Sequence, residues 1–140
     1  LLDAARGRKI AVAGHMRPDG DCISSQFAAA DFLRQAGAAV VVCVNQNKVP
    51  YLYENFAVGE TMLDAETFDD ASFDIMTVDC ADYARTNLSL CKRFPEPLAC
   101  IDHHATNRPS AKINIIDAKA GATAARNSLR SKITASGPFR

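Results

Sequence analysis

Residues 9–21, KIAVAGHMRPDGD, join a short apolar run to a loop crowded with polar side chains. The apolar run ends in glycine and predicts a buried strand over residues 9–14. Apolar residues then recur at helical spacing over residues 21–36, and Gly37 marks the end of that helix. A buried strand that passes through a polar loop into a helix is typical of one unit of a parallel α/β sheet.

Four more apolar runs extend this pattern along the chain. They predict strands at residues 39–44, 73–78, 98–101 and 113–116. Further helices are predicted within residues 45–56, over 84–90 and over 121–133. The run AVVVCV at 39–44 is apolar throughout, as expected for a strand covered on both faces. The sequence therefore predicts a three-layer, Rossmann-like α/β fold with a mainly parallel five-stranded sheet and helices on both faces.

Length and charge narrow the classes of function. The 140 residues are enough for one domain with its own core. Lys and Arg number 16, as do Asp and Glu, so the net charge is zero. We therefore expect no general attraction to long duplex nucleic acid or to a membrane surface, and any anion must bind at a local site. The five cysteines include no CxxC pair, and no secretory signal is evident, so a reducing cytoplasm is the expected location.

The polar residues collect where three predicted strands end. The three stretches are GHMRPDGD at 14–21, VDCAD at 78–82 and IDHH at 101–104. All three histidines of the chain lie in them. Ligands of open α/β sheets bind at the carboxyl ends of the strands, so these stretches are expected to share one crevice.

Taken singly, several of these residues have ordinary structural interpretations. Asp21 suits the N-cap of the following helix, Asp19 with Gly20 suits a turn, and Asp82 suits a cap or turn. Together, three histidines and at least four aspartates would repel or lack partners without a cation. Imidazole and carboxylate ligands suit Mn²⁺ or Mg²⁺, with Co²⁺ or Zn²⁺ as alternatives. A carboxylate such as that of Asp79 could bridge two ions about 3.5–4 Å apart.

HMRPDGD, VDCAD and IDHH, in this order and spacing, resemble the first three signature motifs of the DHH phosphoesterases over residues 8–125. The stretch NIIDAKAGATA at 114–124 is similar to the branch that degrades very short RNAs (nanoRNases) and 3′-phosphoadenosine 5′-phosphate. The resemblance implies a Mn²⁺-dependent hydrolase that cleaves phosphate esters of short oligonucleotides or of a small nucleotide phosphate. In this chemistry two metals support in-line attack of hydroxide on phosphorus.

The resemblance also implies a role for each metal ligand. His15 and Asp19 would hold the first ion. Asp21 and His103 would hold the second, and Asp79 would bridge both.

Four other residues receive roles at the substrate. By resemblance, His104 faces the substrate phosphate, and Asp102 orients a histidine, a common need of imidazoles at metal sites. Arg17 is a candidate phosphate contact, although an ordinary surface arginine beside a proline is an equal alternative. Arg85 is a weaker candidate for substrate binding.

The end of the chain departs from the family pattern. A fourth family motif supplies a further Asp to the second metal, and Ala135 occupies the matching position here. We expect a catalytic core over residues 1–125, a shortened segment over 126–140 and no second substrate-binding domain. The second Mn²⁺ should therefore bind more weakly than the first. The alternative function is a catalytically weak or inactive metal- or nucleotide-binding remnant, and a homodimer is left open.

Overall fold

The computed structural model describes residues 1–46, 51–56 and 59–123, apart from the side chains of Leu52 and Phe56. The predicted helix over 121–133 falls almost wholly outside these residues, as does Ala135. The expectations for residues 124–140 therefore remain expectations.

The sheet has six strands. They are β1 Lys9–Ala13, β2 Val40–Asn45, β3 Met62–Asp64, β4 Phe73–Val78, β5 Ala99–Asp102 and β6 Ile113–Ile116. Their order is β3-β2-β1-β4-β5-β6, and every neighbouring pair is parallel. The prediction of a parallel α/β sheet is confirmed, but the count of five strands was one too few.

Helices cover both faces of the sheet, as predicted. They are α1 Leu2–Ala5, α2 Gly20–Gln35, α3 Leu88–Arg93 and 3-10 helices at Tyr51–Phe56 and Tyr83–Arg85. On one face, Leu33 of α2 belongs to the same buried cluster as Val12 and Met76 of the central strands. On the other face, Leu90 of α3 clusters with Val44 and Ile75. Apolar burial on both faces explains why the central strands are almost continuously apolar.

Two local features differ from the predictions. The strand β3 was not predicted, because its three half-buried residues are too few to give an apolar run. The helix predicted over 84–90 is two elements. The Asn87 side chain accepts a hydrogen bond from the Leu90 amide at 3.0 Å and starts α3 as a separate helix after the 3-10 turn.

The strand order places the functional loops. β1 and β4 are adjacent at the centre of the sheet, while the chain leaves them toward opposite edges. This is the switch point at which doubly wound sheets open a crevice beyond the carboxyl ends of their strands. The loops after β1, β4 and β5 all begin at this edge. Among the described residues, no helix is long and apolar enough to cross a membrane.

Candidate metal centre

Asp79 lies at the centre of the polar cluster. It follows β4 directly and is 2% exposed. Its Oδ2 is 3.7 Å from Nε2 of His15, and its Oδ1 is 3.5 Å from Nε2 of His103. The two oxygens of one buried carboxylate thus face histidines that come from two different loops.

The first group of donors is built on the loop after β1. Nε2 of His15 lies 4.0 Å from Oδ1 of Asp19. The His15 Nδ1 atom is 3.0 Å from the Met16 carbonyl oxygen. A neutral ring that donates from Nδ1 keeps the lone pair of Nε2 directed at the carboxylates. This tautomer suits a metal ligand.

The second group repeats that arrangement on the other side of Asp79. Nε2 of His103 is 3.6 Å from Oδ2 of Asp21. Its Nδ1 is 3.2 Å from the carbonyl oxygen of Ala120. The backbone of the chain after β6 therefore selects the His103 tautomer in the same way as Met16 does for His15.

The start of α2 corrects one local interpretation. Asp19 is the N-cap, because its Oδ1 accepts the Cys22 amide at 3.0 Å. Asp21 is not the cap: it lies inside the first turn, and its carboxylate accepts hydrogen bonds from Ser25 and Thr123. Asp19 combines a cap with a position beside His15, so its structural and functional interpretations are compatible. Asp82 does cap the 3-10 helix Tyr83–Arg85, as expected.

His104 has a different environment from the other two histidines. Its Nδ1 is 2.7 Å from Oδ1 of Asp102, a side chain that is wholly buried. Asn107 donates to the other oxygen, Asp102 Oδ2, at 2.7 Å. Asp102 therefore holds the ring of His104 from behind, and the ring nitrogen Nε2 is the one left for a ligand. Nδ1 of His104 is 3.9 Å from Asp79, at the margin of the carboxylate cluster.

Electrostatics and backbone geometry both single out Asp79. Burial, and secondly the neighbouring charge of Asp21, raise the pKa of the Asp79 carboxyl above its usual range. A bound cation would remove this penalty. Asp79 also has φ of 52°, a conformation uncommon for a residue with a side chain. Such backbone strain concentrates at functional sites.

The two arginines lie beside the cluster. Arg17 and Arg85 line an open cavity of about 520 Å³ that also contains His15. The Met16 amide donates to the Arg85 carbonyl at 2.7 Å and ties the two loops together. Arg17 has φ of 57°, which makes it the second strained residue with a side chain at this edge.

The donor atoms fit divalent cations with oxygen and nitrogen ligands. Ligands about 2.1 Å from one octahedral ion are about 3 Å apart in cis and about 4.2 Å apart in trans. The four distances between histidine nitrogens and carboxylate oxygens at the two positions span 3.5 to 4.0 Å, which lies between the cis and the trans separation. Cys22 adds a thiol near His15 and Asp79, with all three donor atoms within 4.8 Å. Burial raises the pKa of that thiol, so it is neutral without a metal.

The family model for the DHH family, N-terminal domain, matches residues 9–127. This chain belongs to the DHH family. Asp102, His103 and His104 are the DHH residues of this chain. No curated protein matches it.

One solved structure of similar fold is an exopolyphosphatase-related protein from Bacteroides fragilis, with a TM-score of 0.69 and 18% sequence identity. The alignment covers 92% of this chain and 40% of that one. The likeness confirms the fold of the DHH domain, and the present chain spans less than half the length of that relative.

Three residues near the centre were not assigned from the sequence. Thr123 and Asn107 donate hydrogen bonds to the aspartates described above, and Cys22 places a thiol beside His15 and Asp79. Thr123 could have been suspected, because it follows β6 at the same sheet edge. Spacing gave no indication of Asn107.

From the sequence, the segment VPYLY at 49–53 could stack on nucleic-acid bases or pack its tyrosines in the core. Tyr51 is 83% exposed, whereas Tyr53 is half-buried and its ring lies against Gly20 at the start of α2. Val49 and Pro50 lie outside the described residues.

Proposed function

We propose that this chain is the catalytic domain of a metal-dependent phosphoesterase that hydrolyses short oligonucleotides or a small nucleotide phosphate. The observation that carries the proposal is the position of Asp79 between His15 and His103, with one carboxylate oxygen toward each. A buried carboxylate with two such neighbours is suited to bridging two cations. Membership of the DHH family supports the same chemistry.

Each cation position has its own set of donors. His15 and Asp19 would hold the first ion, Asp21 and His103 the second, and Asp79 both. Mn²⁺ is our first choice, with Mg²⁺ and Co²⁺ as alternatives, because the donors are imidazole and carboxylate. When bound, such a pair of ions lowers the pKa of water and neutralises charge on a phosphoryl group.

The remaining residues would act on the substrate. His104 contacts Asp102 through Nδ1, so its other ring nitrogen, Nε2, could face a phosphoryl oxygen and stabilise the charge that develops there. Asp102 would fix the plane of the ring. Arg17 and Arg85 would bind a further anionic group in the cavity beside His15.

The proposal is tested by Mn²⁺ titration followed by a substrate panel. Calorimetry counts the bound ions, and the panel contains a dinucleotide, 3′-phosphoadenosine 5′-phosphate, cyclic di-AMP, pyrophosphate and polyphosphate. We expect two ions, the second weaker, and metal-dependent release of phosphate or mononucleotide from at least one compound. Binding of metal without turnover of any compound would instead support the alternative, a non-catalytic metal- or nucleotide-binding remnant.

Two variants test whether turnover and Mn²⁺ binding depend on the polar cluster around Asp79. Asp79→Asn should abolish turnover and weaken Mn²⁺ at both positions while the circular dichroism spectrum is unchanged. Asp69→Asn is the matched control, because Asp69 is an exposed carboxylate outside the cluster. Full activity in Asp79→Asn would contradict the proposal.

A further inference from the structure

The segment between β6 and residue 123 makes three contacts with the second group of donors. The carbonyl oxygen of Ala120 lies 3.2 Å from Nδ1 of His103. The amide of Thr123 donates to Oδ2 of Asp21 at 3.0 Å, and the Thr123 hydroxyl donates to Oδ1 of Asp79 at 3.0 Å. Every side chain assigned to the second cation is thus held by this one segment.

Both hydrogen bonds from Thr123 fall on the carboxylate oxygens that face His103. Oδ2 of Asp21 and Oδ1 of Asp79 are the same two oxygens that lie 3.6 and 3.5 Å from Nε2 of His103. A carboxylate oxygen has two lone pairs, so it can accept a hydrogen bond and bind a cation together. The Thr123 side chain therefore fixes the direction of the remaining lone pair without excluding the ion.

The first group of donors has separate supports. His15 is held by the Met16 carbonyl, and Asp19 is held by the amide of Cys22 at the start of α2. Within the first group and among the hydrogen bonds of the described residues, only the shared residue Asp79 is bound by Thr123, through Oδ1 rather than through Oδ2, which faces His15. The two cation positions can therefore respond differently to a change at residue 123.

We propose that Thr123 is a positioning residue for the second cation position, acting through its hydroxyl on Oδ1 of Asp79 and through its amide on Asp21. The proposal rests on the proposed function, since it needs two cation positions. Thr123 is 3% exposed, so water does not readily replace its hydroxyl. Residues that orient metal ligands in this way are typically worth about 10–100-fold in metal affinity.

The test compares Thr123→Val with Thr123→Ser by Mn²⁺ calorimetry and by the electron paramagnetic resonance signal of spin-coupled Mn²⁺ pairs. Valine removes the hydroxyl while keeping the shape and the amide, whereas serine keeps the hydroxyl. We expect about 10–100-fold weaker binding of the second ion in the valine variant, loss of the coupled signal at low Mn²⁺, and an unchanged first ion. The serine variant should restore the second ion.

The outcomes separate this inference from the proposed function. A parent protein that binds fewer than two ions would overturn the proposed function itself. A parent with two ions and a valine variant whose second ion binds as tightly as before, or more tightly, would overturn the role of Thr123 alone. Equal weakening of both ions in the valine variant would also overturn it, because the effect would then pass through Asp79 as a whole. Thermal unfolding in EDTA checks that both variants are folded.

Discussion

At the scale of single residues, hydrogen bonds assign the three histidines to two tasks. His15 and His103 meet backbone carbonyl oxygens through Nδ1, which leaves Nε2 toward the carboxylates. His104 meets the carboxylate of Asp102 through Nδ1 instead. The sequence predicted that three histidines converge and that Asp102 orients one of them, but the backbone partners of His15 and His103 are visible only in three dimensions.

This difference predicts separable effects on metal content and catalysis. We expect His104→Ala to retain bound Mn²⁺ and to lose about 10²–10³ in kcat, the usual effect of removing one electrostatic donor at a developing charge. Metal analysis and steady-state kinetics on the same preparation check it. His15→Ala is the contrast variant, in which metal is lost together with rate. Parallel loss of metal and rate in His104→Ala would make His104 a ligand.

The arginines of the cavity allow a second prediction at this scale. We expect Arg85→Gln to raise KM about 10–100-fold for substrates that carry a second phosphate, because a charge-assisted hydrogen bond contributes about 1.5–3 kcal/mol. Metal content should not change. Arg6→Gln is the control, since Arg6 is exposed and lies before β1, at the other edge of the sheet. An unchanged KM for every substrate would leave Arg85 without a role in binding.

At the scale of elements, a buried polar contact fixes α2 against the ends of β1 and β2. The Gln26 amide donates to the carbonyl oxygens of Val12 at 2.9 Å and Val44 at 3.1 Å, and Asn45 donates to Gln26 at 3.0 Å. Gln26 is fully buried. This contact positions α2, and with it Asp21 in its first turn, against the ends of the two strands.

The close approach of α2 to β1 depends on Gly14. A methyl group at residue 14 would collide with the sulfur of Cys22 and would lie 2.9 Å from Gln26 Oε1 and 3.0 Å from Asn45 Nδ2. We expect Gly14→Ala to lower the free energy of unfolding by about 1–3 kcal/mol through overpacking. Urea unfolding measures it. Gly121→Ala is the control, because no atom of the described part of the chain lies within 4 Å of a methyl group there. Equal stability of the two variants would contradict this account of the packing.

The secondary-structure elements also show which bounds can be predicted from sequence patterns. The β6 bounds, residues 113–116, were predicted as the structure has them, and α2 was displaced by one residue at each end. The short apolar run of β6 and the helical spacing of the apolar residues in α2 carry this information. By contrast, β3 is defined by its pairing with β2 from Cys43 and Met62 onward, and three half-buried residues have no periodicity of their own.

At the scale of the whole molecule, the strand order of the sheet brings three motifs that are far apart in sequence to one site. The motif residues could be named from the sequence because strand ends of a parallel sheet share an edge. Asp102 was also predicted to orient a histidine, but Asn107 and Thr123 were not assigned, because they act through the direction of individual hydrogen bonds rather than through spacing. The candidate ligands could therefore be named from the sequence, whereas these two supports depended on the folded backbone.

A cation bound at the candidate centre should make the whole fold more stable than it is in EDTA. Asp79 has a raised pKa when folded, so between its unfolded and folded pKa values the folded chain binds a proton that the unfolded chain has lost. Stability from this carboxyl is therefore present below the unfolded pKa, falls as the pH rises through that window and remains lower at pH 7. A cation that binds only the folded state reverses this penalty. At a free concentration 100 times its Kd it adds about 2.7 kcal/mol per site.

We therefore expect Mn²⁺ to raise the Tm of the parent at pH 7 by roughly 10 °C for each site that is filled to this level, since about 1 kcal/mol corresponds to roughly 4 °C for a chain of this size. In EDTA, Asp79→Asn should melt at or above the parent, because a neutral amide replaces a buried carboxylate. In Mn²⁺ the order should invert, because the variant gains little from the ion while the parent gains the full shift. Differential scanning calorimetry of both proteins in both buffers measures the four values. Asp69→Asn, which keeps the centre intact, should follow the parent in both. A variant that melts well below the parent in EDTA would show that Asp79 supports the fold itself rather than the cation.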